Sequence, residues 1–214
     1  CWEGYEMVGH KMKNGKKVPN CVPKKSAKKS LPLIEQPMLT MDDMGSMHGE
    51  NKSMKVVIPV PKHAAEKVKM QGGTEAGDMH ITLAYLPQDT DITMLRMVAS
   101  EFANSLSTPI NLEMTGVGRF NHEDKDVLYI SVDSPELAFQ RERLIAMLEG
   151  NGIVVDKEHG FDPHITIAYL DKEEETPRIN ESYLCSWMFY CLEVWQGPFK
   201  YKYHTIHSPD RGVF

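Results

Sequence analysis

The chain has 214 residues, of which 41% are hydrophobic and 25% charged, a balance that fits one folded core with an appendage. No run of 18 or more apolar residues occurs and no apolar signal segment opens the chain, so no membrane partner is expected and a cytoplasmic location is. Residues 1–53 hold nine Lys against six acidic residues, for +3, while residues 54–214 hold 15 basic against 24 acidic, for −9; so acidic a body lacks the basic stripe that a long duplex needs.

In chain order, residues 1–53 are Lys-rich around Lys11 to Lys29 and then rich in Pro, Met, Gly and Ser, with no sustained apolar period. They are expected to form a tail or linker, largely irregular, or a small accessory element. The folded body, residues 54–214, opens with a strand over Lys55–Val60 and a short helix from Pro61 to about Gln71, ended by Gly72-Gly73. A strand over His80–Leu86 precedes a helix capped by Asp91, with Met94, Leu95, Val98, Phe102 and Leu106 on one stripe and Pro109 beyond it. Strands near 110–120 and 127–133 follow. Ser134-Pro135-Glu136 then opens a helix that turns Leu137, Leu144, Ile145 and Leu148 inward, with Gly150 to Gly152 past its end. A strand over His164–Leu170 and a last pair, near Trp187–Trp195 and Phe199–Ile206 around Gln196-Gly197-Pro198, complete the chain. A strand, a helix and a second strand thus occur twice, over 55–86 and 127–170.

The two short strands, His80-Ile81-Thr82-Leu83-Ala84-Tyr85-Leu86 and His164-Ile165-Thr166-Ile167-Ala168-Tyr169-Leu170, are near copies. At strand spacing each places a His and a Thr on one face. An imidazole moves a proton near neutral pH, and a hydroxyl holds an anionic oxygen. Two such strands facing each other would grip one phosphate and supply both a general base and a general acid. A single H-x-T is weak evidence, whereas its duplication carries weight.

On these residues the chain resembles the 2H phosphoesterase superfamily, named for two H-x-[ST]-x motifs. The resemblance runs from about Met54 to the last strand and includes Gly116–Phe120 followed by Val127–Val132, which look like the strand pair carried between the motifs. It implies an α+β, bilobal fold with pseudo-twofold symmetry, antiparallel sheets lining a central cleft and helices outside. It also implies metal-independent phosphodiesterase chemistry, with His80 and His164 as the acid/base pair and Thr82 and Thr166 orienting the phosphate; no cofactor and no metal are expected.

The substrates the resemblance offers are RNA ends with 2′,3′-cyclic phosphate, 2′–5′ oligonucleotides, and the cyclic oligonucleotide signals of bacterial CBASS immunity, which phage members destroy. The string Cys1-Trp2-Glu3-Gly4-Tyr5 through Pro23 is similar to a short segment of tailed-phage proteins, and an acidic body suits a small nucleotide held by a few contacts. The expected partner is therefore a cyclic di- or trinucleotide, in the host cytoplasm if the chain is phage-encoded, with a cyclic-phosphate RNA end as the alternative. A non-catalytic nucleotide-binding or virion protein is a third reading, disfavoured because binding alone does not require two proton-transfer groups. The partner of residues 1–53 stays open, and Cys1 in place of an initiator Met suggests a chain trimmed or taken from a longer product.

Arg119 and Phe120 are candidate substrate contacts, and Trp187, Trp195, Tyr190, Phe161 and Tyr203 are further candidate base platforms. The connection from Asn151 to Pro163 reads as an ordinary polar loop, with a substrate-selecting role as the alternative. Cys1, Cys21, Cys185 and Cys191 lack a C-x-x-C pairing and read as reduced thiols.

Overall fold

Two four-stranded antiparallel sheets carry the body of the protein in the computed structural model, which describes residues 5–13, 16–23, 54–121, 124–157 and 160–210. The chain divides into two compact units, Cys1–Met38 and Leu39–Phe214. In the first, β1 (Tyr5–Lys13) and β2 (Lys16–Pro23) pair antiparallel as a two-stranded sheet. The sequence predicts a largely irregular tail or a small accessory element for residues 1–53, and the described residues among them are these two strands. Pro19 and Pro23 are tolerated because both strands are edges, where a missing N–H breaks no ladder on a second side.

The second unit runs β3 (Met54–Pro59), α1 (Lys62–Val68), β4 (His80–Leu86), α2 (Ile92–Ser105), β5 (Asn111–Phe120), β6 (Lys125–Asp133), α3 (Pro135–Gly150), β7 (His164–Asp171), a 3₁₀ turn at Glu181–Tyr183, β8 (Ser186–Met188), β9 (Cys191–Gln196) and β10 (Phe199–His204). Strand order is β10-β9-β3-β4 in one sheet and β7-β6-β5-β8 in the other, and the edges β4 and β7 meet. An α+β fold of two pseudo-twofold-related lobes results: β4 answers β7, β3 answers β6, and β9 answers β5.

Local chemistry explains the helices. Asp91 accepts from the N–H groups of Thr93 at 2.8 Å and Met94 at 3.2 Å, and α2 then buries Leu95, Val98, Ala99, Phe102 and Ala103. In α3, Pro135 occupies the first turn, and the buried residues are Leu137, Leu144, Ile145 and Leu148, the four predicted. α1 ends at Val68, earlier than expected, because its buried residues stop there: Ala64, Ala65 and Val68 face the core and Lys69 is already extended.

One predicted strand is two. The apolar run Trp187–Trp195 breaks at Phe189-Tyr190, where the chain changes sheet: Trp187 pairs with Leu112 of β5, and Trp195 pairs with Lys55 of β3. Phe189 is buried at the crossing, its N–H donating to the Ile110 carbonyl at 2.8 Å. Both halves of the run need apolar residues, so composition alone shows no break.

Candidate active site

His80 and Thr82 begin β4, and His164 and Thr166 begin β7. Each strand then slips by one residue at the same place. Val56 and Val57 face Ala84 and Thr82, and Leu128 and Tyr129 face Ala168 and Thr166, so Leu83 and Ile167 are the extra residues of two bulges. Leu83 and Ala84 are both buried, as are Ile167 and Ala168. Beyond the slip the alternation inverts, which returns Tyr85 and Tyr169 to the face of the His and Thr.

The bulge carbonyls are tied across the lobes. Arg141 of α3 donates through Nε to the Leu83 carbonyl at 2.9 Å while its guanidinium lies 4.6 Å over the Phe161 ring. The Thr74 N–H, after α1, donates to the Ile167 carbonyl at 2.8 Å. A Cβ on Gly73 would collide with that same carbonyl, so glycine lets the loop come close. Each lobe thus secures the strand that carries the other lobe's histidine.

Both imidazoles are fixed in one tautomer. His80 Nδ1 donates to the Asp78 carbonyl at 2.6 Å, and His164 Nδ1 donates to the Asp162 carbonyl at 2.8 Å; a carbonyl only accepts, so Nδ1 carries the proton and Nε2 is the exchangeable site. Nε2 of His80 accepts from Lys55 Nζ at 3.0 Å. Burial, followed by the Lys55 charge, holds the His80 imidazole far below its ordinary value, at about 3, and a charge on His164 pushes the same way. Burial, then Lys200, lowers Lys55 to about 8. His80 is accordingly neutral across the physiological range.

Aromatic rings back both histidines. Trp195 lies 4.4 Å from the His80 ring, and Phe120 and His164 meet edge to face at 5.2 Å. Counted from the two bulges, Trp195 and Phe120 occupy matching positions, paired with Lys55 and Val127 respectively. Phe120 stacks on Tyr129 at 3.9 Å. Gly118 faces Tyr129 across the ladder, and any Cβ there would run into the phenol ring.

His80 with Thr82 and His164 with Thr166 lie on the meeting edges β4 and β7, and Phe120 lies against His164, whereas Arg119 is employed elsewhere. Its Nε donates to Asp126 at 2.7 Å, its Nη1 to Glu174 O and Thr176 Oγ1 at 2.7 and 3.1 Å, and its Nη2 to Asp171 O and Lys172 O at 3.0 and 3.3 Å. One donor goes to Asp126 of β6 and the other four hold the end of β7 and the segment after it, which leaves none for the expected phosphate contact. Among the other platform candidates, Trp187 is buried, Phe161 lies beneath Arg141, and Tyr203 accepts from Arg96 at 3.1 Å. The 151–163 connection reaches the first lobe, with Asp156 pairing with Tyr85.

Lys55, Tyr129 and Lys200 were not among the sequence candidates. A signal for part of the site was present: an Asp stands two residues before each histidine, so the repeat is longer than H-x-T. Among the described residues, no three His, Cys, Asp or Glu side chains are grouped to hold a metal, and Cys185 and Cys191 are free thiols; Cys1 lies outside the described residues. No helix among the described residues is long and apolar enough to cross a membrane.

Residues 64–195, more than half of the chain, match the family described as the 2′-5′ RNA ligase superfamily. The chain belongs to this superfamily. Its members, the 2H phosphoesterases, act on phosphodiester bonds, and the chain is an enzyme of that type. No curated protein matches it in sequence. Among solved structures, Escherichia coli LigT complexed with 3′-AMP is 16% identical, with a TM-score of 0.56 over 73% of this chain and 99% of LigT. A Thermus thermophilus protein is 18% identical, with a TM-score of 0.51 over 72% of this chain and all of that one (100%). A structure described as a phosphoesterase is 17% identical, with a TM-score of 0.53 over 72% of this chain and 95% of that one. At such identities the likeness is one of fold.

Proposed function

We propose that this 2H phosphoesterase hydrolyses cyclic oligonucleotide signals, as a phage counter-defence against CBASS-type immunity, through His80 and His164. The observation that carries the chemistry is the pair of H-x-T strands on the meeting edges β4 and β7, each imidazole held by a carbonyl so that Nε2 is the proton-exchanging atom. Neutral His80 takes the proton of the attacking water or ribose hydroxyl as its oxygen bonds to phosphorus. His164 gives a proton to the leaving oxygen as the phosphorus–oxygen bond breaks, and Thr82 and Thr166 hold the non-bridging oxygens. The acidic body and the character of residues 1–23 support a small cyclic substrate over a long backbone. A second reading, an RNA 2′,3′-cyclic or 2′–5′ phosphodiesterase, is favoured by the family description and by the 3′-AMP held in the LigT structure.

Chromatography of products separates the two. Wild type and H164A are incubated, with EDTA, against cyclic di- and trinucleotides and an RNA oligomer ending in 2′,3′-cyclic phosphate. Cleavage of the cyclic oligonucleotides, lost in H164A, is the expected result; cleavage of the RNA end alone selects the second reading. A tight nucleotide complex recovered intact would reduce the protein to a binder, and inhibition by EDTA would bring a metal into the chemistry.

A further inference from the structure

Lys55 has no place in the motif and precedes the residues that match the family. It is half-buried in β3, with its Nζ 3.0 Å from His80 Nε2 and 4.8 Å from the centre of the Trp195 ring. Lys200 of β10 crosses the same ring at 3.9 Å, so two ammonium groups share one indole. Lys200 is satisfied by Asp78 at 2.6 Å and the Gly77 carbonyl at 2.9 Å. Glu193 of β9 is taken up by Trp195 Nε1 at 2.7 Å and Lys202 at 3.4 Å. From β4, His80 and Tyr85 face Lys55. Among the described residues no carboxylate forms an ion pair with it; the charge of Asp78, which is bonded to Lys200, acts on it from further away.

A sheltered ammonium that no carboxylate contacts, beside a second ammonium, is better satisfied when something negative arrives. The fold does not call for one at this position: counted from the bulges, the residue in the other lobe that matches Lys55 is Val127, which is buried and apolar. Meanwhile Lys55 covers the very nitrogen that the proposed chemistry needs. An anion with several oxygens entering beside His80 would relieve both conditions at once.

We propose that Lys55 is a third catalytic residue, which binds a non-bridging oxygen of the scissile phosphate and, in moving to it, uncovers His80 Nε2 as the general base. The assignment rests on the phosphodiesterase reading above. In atoms, the Nζ–H bond to Nε2 is exchanged for one to the phosphate oxygen. The nucleophile's proton passes to Nε2 while its oxygen bonds to phosphorus. The leaving oxygen departs with the proton from His164, and the ammonium sits against the negative charge that builds on the phosphoryl oxygens. The lobes then have fixed duties, His80 as base and His164 as acid, although their motifs are alike. The lowered value of Lys55, about 8, agrees with an ammonium that waits for an anion.

The test titrates inorganic phosphate into the full chain as wild type, K55R and K55M, following the ¹⁵N-labelled imidazoles by NMR, with melting temperatures in parallel. Wild type is expected to bind phosphate and to shift His80 Nε2 as Lys55 leaves it, with K55R close behind and K55M at least about 10-fold weaker. K55M should melt no lower than wild type. Equal phosphate affinity in K55M, no phosphate binding by wild type, or a fall in the melting temperature of K55M each overturns the proposal. Where a substrate is turned over, K55M should lose about 10²- to 10³-fold in kcat, the usual effect of removing one oxyanion donor. The alkaline fall of kcat/KM near pH 8 should move upward in K55R, because an arginine keeps its charge; an unmoved limb overturns the role in catalysis. Phosphate bound through Lys55 with no cleavage of any phosphodiester would keep the anion site and remove the phosphodiesterase reading instead.

Discussion

In the lobe built on β4, His80 lies against Trp195, Glu193 accepts from the indole nitrogen, and Lys55 caps Nε2. In the lobe built on β7, the matching positions hold Phe120, Gly118 and Val127, and the space that Gly118 leaves is filled by Tyr129, whose own counterpart is Val57. The backbone plan is shared down to the bulge, the carbonyl that holds each Nδ1 and the bond tying each bulge to the opposite lobe. The side chains around it are not: one histidine stands among charges and the other among apolar rings. On the reading proposed above the two copies of one strand take different proton-transfer duties, and burial beside the Lys55 charge is what holds the His80 imidazole neutral.

The strongest way to break this comparison is to remove each histidine in turn. H80A and H164A should each lose on the order of 10²- to 10⁴-fold in rate with the fold retained, as circular dichroism would check. Equal activity in either variant would remove the mechanism. The pH profile sharpens it: a base with the ordinary histidine value would lose about 30-fold in kcat/KM between neutrality and pH 5, whereas the lowered His80 should keep wild type active there. Stability moves the other way. Unfolded His80 accepts a proton near 6.5 that the folded protein refuses until about 3, so unfolding free energy should be full above about pH 6.5 and fall as the pH is lowered towards 3.

Packing differences are next in size. G118V forces a side chain into the Tyr129 ring and should cost about 1–3 kcal/mol in a denaturant titration, with the larger rate loss falling on the His164 side. R141M leaves the Leu83 carbonyl without its donor, a loss of about 1–3 kcal/mol. T74A should change stability by less than about 0.5 kcal/mol, because in that lobe the donor to the bulge is a backbone N–H that the substitution keeps. The smallest effect is expected from deleting residues 1–53: turnover should be unchanged, and loss of turnover in a folded truncation would show that this segment helps to build the site.

Much of the molecule was legible because it is local. The helix faces, the Asp91 cap, both H-x-T strands and the resemblance they carry depend on periods of two and 3.6 residues, which adjacent positions spell out. The first unit also carries a local signal: Asn14-Gly15, between the runs that form β1 and β2, is a strong hairpin dipeptide. Other features could not be read along the chain. Arg119 sat beside Phe120 in a plausible place, yet its donors are claimed by Asp126 of β6 and by residues at and after the end of β7. The run from Trp187 to Trp195 is divided between two sheets by its partners, not by its composition. By itself the sequence determined which strands carry the histidines and hydroxyls and which residues form the core. Only the tertiary structure decided that Lys55, Trp195 and His80 meet, because register across three strands aligns residues that have no periodic relation in the chain, and burial then makes their charges interact.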